Sequence, residues 1–198
     1  VDTGMGLERI VSVLEGTTDN YQSSVWKDVI ELICEITGLP YEGNEESMRI
    51  IADHLRTAVL ISADKSGIKP SNTDQGYILR RLIRRAIRHA RKLGLENNSN
   101  WEEEIALLII EKYAPYYDEL TENKNVVLEV LKNEKTKFER TLGKGLKEFE
   151  KVSNTDLDGQ TAFRLFDTYG FPIELTVELA LEKGLKVDVE GFKQKFKE

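Results

Sequence analysis

The sequence predicts an all-α protein, and three observations carry that expectation. Apolar residues recur at helical spacing along most of its long segments. Glycines, prolines and short polar residues punctuate those segments where helices start and stop. Convincing period-two alternation is absent outside Leu185-Lys-Val-Asp-Val189. The expected architecture is a multi-helix, bundle-like body followed by a smaller C-terminal helical subdomain. Three stretches divide the chain on this reading: residues 1–16, 17–153 and 154–198.

The first stretch is a glycine turn, Gly4-Met-Gly6, leading into a helix whose stripe is Leu7, Ile10, Val11 and Leu14, with a stop at Gly16. A glycine turn at a helix start is a ready anion site, and Arg9 in the first turns would strengthen it. A plain capping turn with a surface arginine explains the same residues. After a polar segment, Ser23 or Ser24 is placed to cap a helix running to about Thr37. Gly38 to Asn44 reads as a loop, and a long helix follows from about Glu45 to Asp64. It carries Asp53 and His54 side by side. Adjacent helix residues point about 100° apart, which predicts a structural or hydrogen-bonding role and not a dyad in which one orients the other.

Pro70-Ser-Asn-Thr-Asp-Gln-Gly76 carries the strongest turn signal, and a helix is expected from Tyr77 to the stop at Gly94. Leu79, Leu82, Ile83, Ala86, Ile87, Ala90 and Leu93 fall on one face of it. Arg80, Arg81, Arg84, Arg85, Arg88, Arg91 and Lys92 fall on the opposite arc. No acidic residue interrupts from Tyr77 to Leu93. The whole chain carries a formal charge of −7 and this segment contributes seven positive residues, so the remainder sums to −14. Charge segregated in this way, beside an Asn/Asp/Gln-rich turn, fits a surface that positions a phosphate backbone next to a base-reading loop. Arginine suits that task because its planar fork donates two parallel hydrogen bonds to phosphate oxygens. The competing reading is a solvated face whose arginines pair with the chain's own carboxylates, or a helical scaffold that binds acidic protein partners.

Beyond Gly94, residues 95–100 read as a polar linker. Helices are expected from Trp101 to about Asp118, ended or kinked by Pro115, and from Glu119 to about Lys151. Val126, Val127, Val130, Leu131, Phe138, Leu142, Leu146 and Phe149 form the stripe of the latter. Asp158 or Thr161 caps a helix that stops at Gly170. Pro172 opens another that runs to Gly184, and a last short helix follows Asp188. The composition, 40% hydrophobic and 32% charged, is that of a soluble globular protein, with no apolar run near the roughly 20 residues that span a bilayer. Cys34, the single cysteine, lies in an apolar helical pattern and reads as a core residue; with only two histidines, no zinc site is expected. A reducing cytosol is the expected compartment. The start at Val1, inside a motif, reads as the edge of an excised piece of a longer protein.

Four patches together resemble the alanyl-tRNA synthetase family of class II aminoacyl-tRNA synthetases. They are Asp2-Thr-Gly-Met-Gly-Leu-Glu-Arg9, Arg49-Ile-Ile-Ala-Asp-His-Leu-Arg56, Pro70-Ser-Asn72 with Gly76-Tyr-Ile-Leu-Arg-Arg-Leu-Ile-Arg-Arg-Ala-Ile-Arg-His89, and Asp158-Gly-Gln-Thr-Ala-Phe-Arg-Leu-Phe-Asp-Thr-Tyr-Gly-Phe-Pro172. The resemblance covers essentially the whole chain. It implies that residues 1–16 end a class II catalytic domain, with Arg9 the third-motif arginine that contacts the ATP triphosphate. Residues 17–153 would be a helical tRNA-recognition domain, continued by the helices of 154–198. The upstream catalytic sheet and the downstream editing domain would be missing partners. ATP and Mg2+ would belong to the parent enzyme, none being held by this fragment, which alone would be inactive. A second hypothesis, adenylation by the fragment itself through Arg9, lacks the sheet and amino-acid pocket that such chemistry needs.

The resemblance also implies a recognition site for the acceptor stem of tRNA(Ala). Asn72 and Asp167 match the family residues that flank its third base pair, a G·U wobble. A wobble pair leaves the guanine amino group without its usual partner in the RNA minor groove. A carboxylate can accept from that donor, and an amide can meet either kind of group. Arg80, Arg81, Arg84, Arg85 and Arg88 would hold the phosphate backbone. Without the resemblance, Asp167 is a helix-end carboxylate and Asn72 a turn residue bonded to its own backbone. The sequence departs from the family pattern in a longer connection at Asp64–Lys69 and in Gln75, where an arginine often stands.

Overall fold

The computed structural model describes residues 4–95 and 100–197. Asp2 and Thr3 of the first motif, and positions 96–99 of the expected linker, lie outside them. Packing divides the chain into an N-terminal unit, Val1–Lys132, and a C-terminal unit, Asn133–Glu198. Among the described residues all regular structure is helical; one isolated parallel bridge, Leu157 to Val187, is the only strand-like pairing. That bridge falls where period-two alternation occurs. The packing division lies inside a long helix.

The N-terminal unit contains α1 (Leu7–Leu14), a 3-10 turn (Asn20–Gln22), α2 (Lys27–Thr37), α3 (Glu45–Ala63), α4 (Asp74–Lys92), α5 (Trp101–Tyr113) and α6 (Asp118–Glu122). The α3–α4 pair is its backbone. Met48, Ile51, Leu55, Ala58 and Val59 of α3 are buried, as are Leu79, Ile83, Ala86, Ile87 and Ala90 of α4, and these two helices make the most extensive contact in the unit. Ser47, early in α3, bonds His89, late in α4 (3.0 Å), while His54 meets Arg85 (3.1 Å), so the helices run antiparallel. Ala58 of α3 and Ala86 of α4 are both fully buried. Helices α2, α5 and α6 pack around α3.

Helix α7 (Lys124–Val152) begins in the N-terminal unit and supplies the first element of the C-terminal one, with α8 (Gly159–Tyr169), α9 (Ile173–Glu182) and α10 (Val189–Lys197). The C-terminal unit is held by rings and close backbones. Phe171 is fully buried, meets Phe138 edge-on at 6.0 Å, and lies where a Cβ on Gly145 would be. A Cβ on Gly159 would collide with the Gly191 backbone, which sets the α8–α10 approach. Phe163, Phe166, Phe192 and Phe196 cluster over that crossing. The expected cap holds, because Asp158 accepts from the Thr161 amide (2.7 Å). Glycines at 94, 170 and 184 sit in the left-handed region that ends a helix.

Several boundaries differ from expectation. Residue 26, not Ser23 or Ser24, precedes α2; the Ser23 hydroxyl instead donates to Asn20 (2.6 Å). Helix α5 ends at Tyr113, before Pro115. The long helix expected from Glu119 is two, α6 and α7, broken at Asn123, whose side-chain amide turns aside to cap the Ala63 carbonyl of α3 (2.8 Å). Val126, expected in the apolar stripe, is 44% exposed. Cys34 is half-buried and donates to the Met48 sulfur at 3.7 Å, and burial pushes its thiol pKa up. No helix among the described residues is long and apolar enough to cross a membrane.

Candidate functional site

Arginine placement along α4 decides what the helix can do. Gly76, expected in the turn before the helix, lies in its first turn instead, and the helix begins at Asp74. Asp74 itself has φ 54°, a left-handed conformation that aspartate tolerates better than most residues. The apolar face is buried as expected except at Leu82, which is half-buried. The opposite arc is not a uniform solvated stripe: Arg84 and Arg88 are only 9% and 6% exposed, whereas Arg80, Arg81 and Arg85 are half-buried. The helical period places a residue on an arc; it does not reveal how deep that arc sits in the packed molecule. All five guanidinium groups are engaged in hydrogen-bond, ionic or ring contacts. Buried cations require such company.

One chain of contacts joins α3 to α4. His54 Nδ1 lies 3.0 Å from an Asp53 carboxylate oxygen, and His54 Nε2 lies 3.1 Å from Arg85 Nη1. Arginine only donates, so Nε2 accepts and Nδ1 carries the proton given to Asp53. The pair takes the expected hydrogen-bonding role, but the expectation that adjacent helix residues could not orient one another does not hold. Their Cβ atoms diverge, but the side chains are long enough to turn back together. The His54 hydrogen bond is the foremost influence holding the Asp53 carboxyl below its ordinary value, helped by nearby Arg56 and Arg85. At the far end of α4, His89 is fully buried between Ser47 and Arg88 Nη1 (3.4 Å).

Asn72 is exposed on the loop before α4, and Arg80 donates to its Oδ1. Asp167 is exposed in the last turn of α8, in the C-terminal unit, with no hydrogen-bond or ionic partner among the described residues. Arg9, exposed on α1, lines a cleft of about 450 Å³ with Gly4, Gly6, Glu8, Trp26 and Arg56. Gly6 precedes α1 at φ 75° without a side-chain cap, leaving the first-turn amides to other acceptors. Beneath the cleft, the Arg56 guanidinium stacks 3.7 Å from the Trp26 ring centroid and donates to Glu8 (2.8 Å), which ties α1 to α3. The Glu8 carboxyl is held below its ordinary value, first by its own backbone amide and then by Arg56.

Sequence reasoning missed Gly76 as a site of close approach and Arg56 as the strut beneath Arg9. The signals were present. Both residues stand inside the motifs that carry the family resemblance, but neither spacing nor charge pattern says what they touch.

The two candidate sites are thus an arginine-lined helix with an amide-bearing loop at its start, and an arginine on a helix that follows a glycine turn. The family model for tRNA synthetases class II (A) matches residues 1–198, and the chain belongs to that family. It is 44% identical over 204 residues to the alanine–tRNA ligase of Borreliella afzelii (strain PKo), and 42% identical over 206 residues to that of Treponema pallidum (strain Nichols). The alignments cover 100% and 99% of this chain and 34% of each relative, so the chain spans about a third of the length of the curated relatives it matches.

Proposed function

We propose that this chain is the part of an alanine–tRNA ligase that reads the acceptor stem of tRNA(Ala), supporting ATP-dependent attachment of alanine in the whole enzyme. The observation that carries the reading is the Asn72 loop, an exposed amide fastened to the start of an arginine-rich helix. Asn72 and Asp167 contact the third base pair, and the free Asp167 carboxylate accepts from the guanine amino group that a G·U wobble leaves open. Arg81 and Arg85 reach backbone phosphates directly, Arg80 lies beside the loop, and the buried Arg84 and Arg88 add to the positive field of the ridge.

Arg9 and the α1 amides suit the triphosphate of ATP, because a helix N-terminus and a guanidinium both favour an anion there. ATP, where bound, supplies the phosphoanhydride that drives the reaction. Here Arg9 binds and orients, while the Arg56–Glu8 strut holds its helix. No group of three or more His, Cys, Asp or Glu side chains among the described residues is placed to hold a metal ion. The catalytic sheet and the editing domain of the parent enzyme are the remaining partners.

A gel-shift series with an alanine acceptor minihelix tests the reading, with the wobble set against a Watson–Crick third pair. Asp167→Ala should lower the preference for the wobble stem by about 1–3 kcal/mol. Equal losses on both stems would contradict it. Arg81→Ala should weaken both stems alike and reduce the salt slope by about 1. Binding that is salt-sensitive but survives ribonuclease treatment would favour an acidic protein partner.

A further inference from the structure

The Pro70–Asn72 loop is fastened to the first turns of α4 at several points. The Ser71 amide donates to the Gly76 carbonyl (3.0 Å), and the Ser71 hydroxyl donates to the Thr73 carbonyl (2.7 Å). Gly76 is buried, and a Cβ there would collide with the Lys69 carbonyl and the Ser71 hydroxyl. Arg80 reaches back eight residues, donating from Nη1 to Asn72 Oδ1 and from Nη2 to the Pro70 carbonyl (3.4 Å). Arginine has five donors and no acceptor. The Asn72 atom that faces it must therefore be the carbonyl oxygen, and the NH2 group is the part left for a ligand. A freely rotating amide offers a donor or an acceptor indifferently; this one offers donors.

We infer that Arg80 is a positioning residue that orients Asn72 to read a hydrogen-bond acceptor in the minor groove, on the pyrimidine side of the third pair. The inference rests on the reading of Asn72 as a base-pair contact. It divides the labour between the two polar residues. Asp167, acceptor-only, takes the guanine amino donor; Asn72, with its oxygen held, gives a proton to the pyrimidine O2 or to its ribose 2′-oxygen. Arg80 then differs in role from Arg81 and Arg85. Its fork is directed into the loop, and its loss degrades discrimination before it degrades backbone affinity.

The test uses the full-length protein and acceptor hairpins carrying G·U or G·C at the third pair, with affinities followed by fluorescence anisotropy across a salt series. Asn72→Ala should lower the wobble preference roughly tenfold. Arg80→Met should lower it by a similar factor, and the double variant should lose no more than either alone. Arg80→Lys, which keeps one donor, should restore part of the preference. Asn72→Asp keeps a partner for Arg80 but presents no donor, so it should lose the preference while melting like the parent. A hairpin with a single 2′-deoxy pyrimidine at that pair separates the two acceptors: a loss that vanishes in Asn72→Ala assigns the ribose oxygen, and no loss assigns O2. If Arg80→Met weakens both stems equally, lowers the salt slope by about 1 and adds to Asn72→Ala, Arg80 is a phosphate contact and the inference falls, with the Asn72 reading intact. If Asn72→Ala itself leaves the preference unchanged, the Asn72 reading fails first.

Discussion

The surroundings of Asn72 and of Asp167 are built by opposite means, although both present a polar group to solvent. Around Asn72, the N-terminal unit works through directed contacts: Arg80 on the loop, Ser71 on the helix, and the Asp53–His54–Arg85 chain between α3 and α4. Around Asp167, the C-terminal unit works through rings and missing side chains, with Phe171 against Gly145 and the phenylalanine cluster over Gly159. An amide has two faces of opposite character, so it needs a neighbour to choose between them. A carboxylate accepts from every direction and needs only a stable helix to stand on. The two units should therefore fail differently when cut.

The largest effect should come from the ring that anchors the C-terminal unit. Phe171→Ala removes a fully buried side chain and should destabilise that unit by about 3–5 kcal/mol. Both tryptophans, Trp26 and Trp101, lie in the N-terminal unit and are buried. Tryptophan fluorescence therefore follows one unit while helical circular dichroism follows both. In this variant the dichroism should begin to fall at lower denaturant than the fluorescence. Coincident curves would show that the two packings stand or fall together.

Gly76→Ala probes the other side. Its new methyl group would press on the Lys69 carbonyl and the Ser71 hydroxyl, and overpacking of this kind costs about 1–3 kcal/mol. The fluorescence transition should move, and wobble preference should fall with it because the Asn72 loop is displaced. A variant that melts like the parent and keeps full preference would show the loop to be less tightly held than its contacts indicate.

What the sequence revealed and what it hid divide along the same line. The helices were legible because burial of one face imposes a period, as at Leu79, Ile83, Ala86 and Ile87, and because Gly94, Gly170 and Gly184 end helices in a conformation that glycine adopts readily. The break at Asn123 was hidden, and the Ala63 carbonyl that its side chain bonds there lies 60 residues away. The depth of Arg84 and Arg88 was hidden because a helical period sets an arc and not its depth. Asp167 and the base-pair role proposed for Asn72 came from motif resemblance alone, whereas Arg9 was also marked by the glycine turn before its helix. Arg80 was found as a charge, and only the fold showed that its fork points into the Asn72 loop.

Acid should reach the N-terminal unit through Asp19. Burial alone would raise its carboxyl pKa, but donors from Tyr41 (2.6 Å), the Tyr21 amide (3.0 Å) and Arg49 (2.8 Å) outweigh that and hold it below the ordinary 3.8. A depressed carboxyl stabilises the fold above its unfolded pKa, and that contribution disappears as pH falls through the folded value. The tryptophan-monitored stability of the N-terminal unit should therefore drop on acidification below about pH 4. Asp19→Asn should cost about 1 kcal/mol at neutral pH and flatten that acid limb. An unchanged limb would assign the acid sensitivity to Asp53 instead, whose carboxyl is lowered foremost by His54.

The smallest effect on stability should belong to Asp167, and its smallness is what makes it informative. The side chain is exposed and bonds nothing among the described residues, so Asp167→Ala should leave melting within about 0.5 kcal/mol of the parent. A negative charge near the C-terminal end of α8 is, if anything, unfavourable to the helix, whose last carbonyls already carry partial negative charge. A slight gain in stability would therefore be no surprise. The variant becomes a clean subtraction of one acceptor from an otherwise unaltered surface. Loss of wobble discrimination with unchanged melting would mean that the carboxylate is retained for contact at some expense to the helix. A clear fall in melting temperature would instead make Asp167 a structural residue, and the contrast with the tethered Asn72 would lose its meaning.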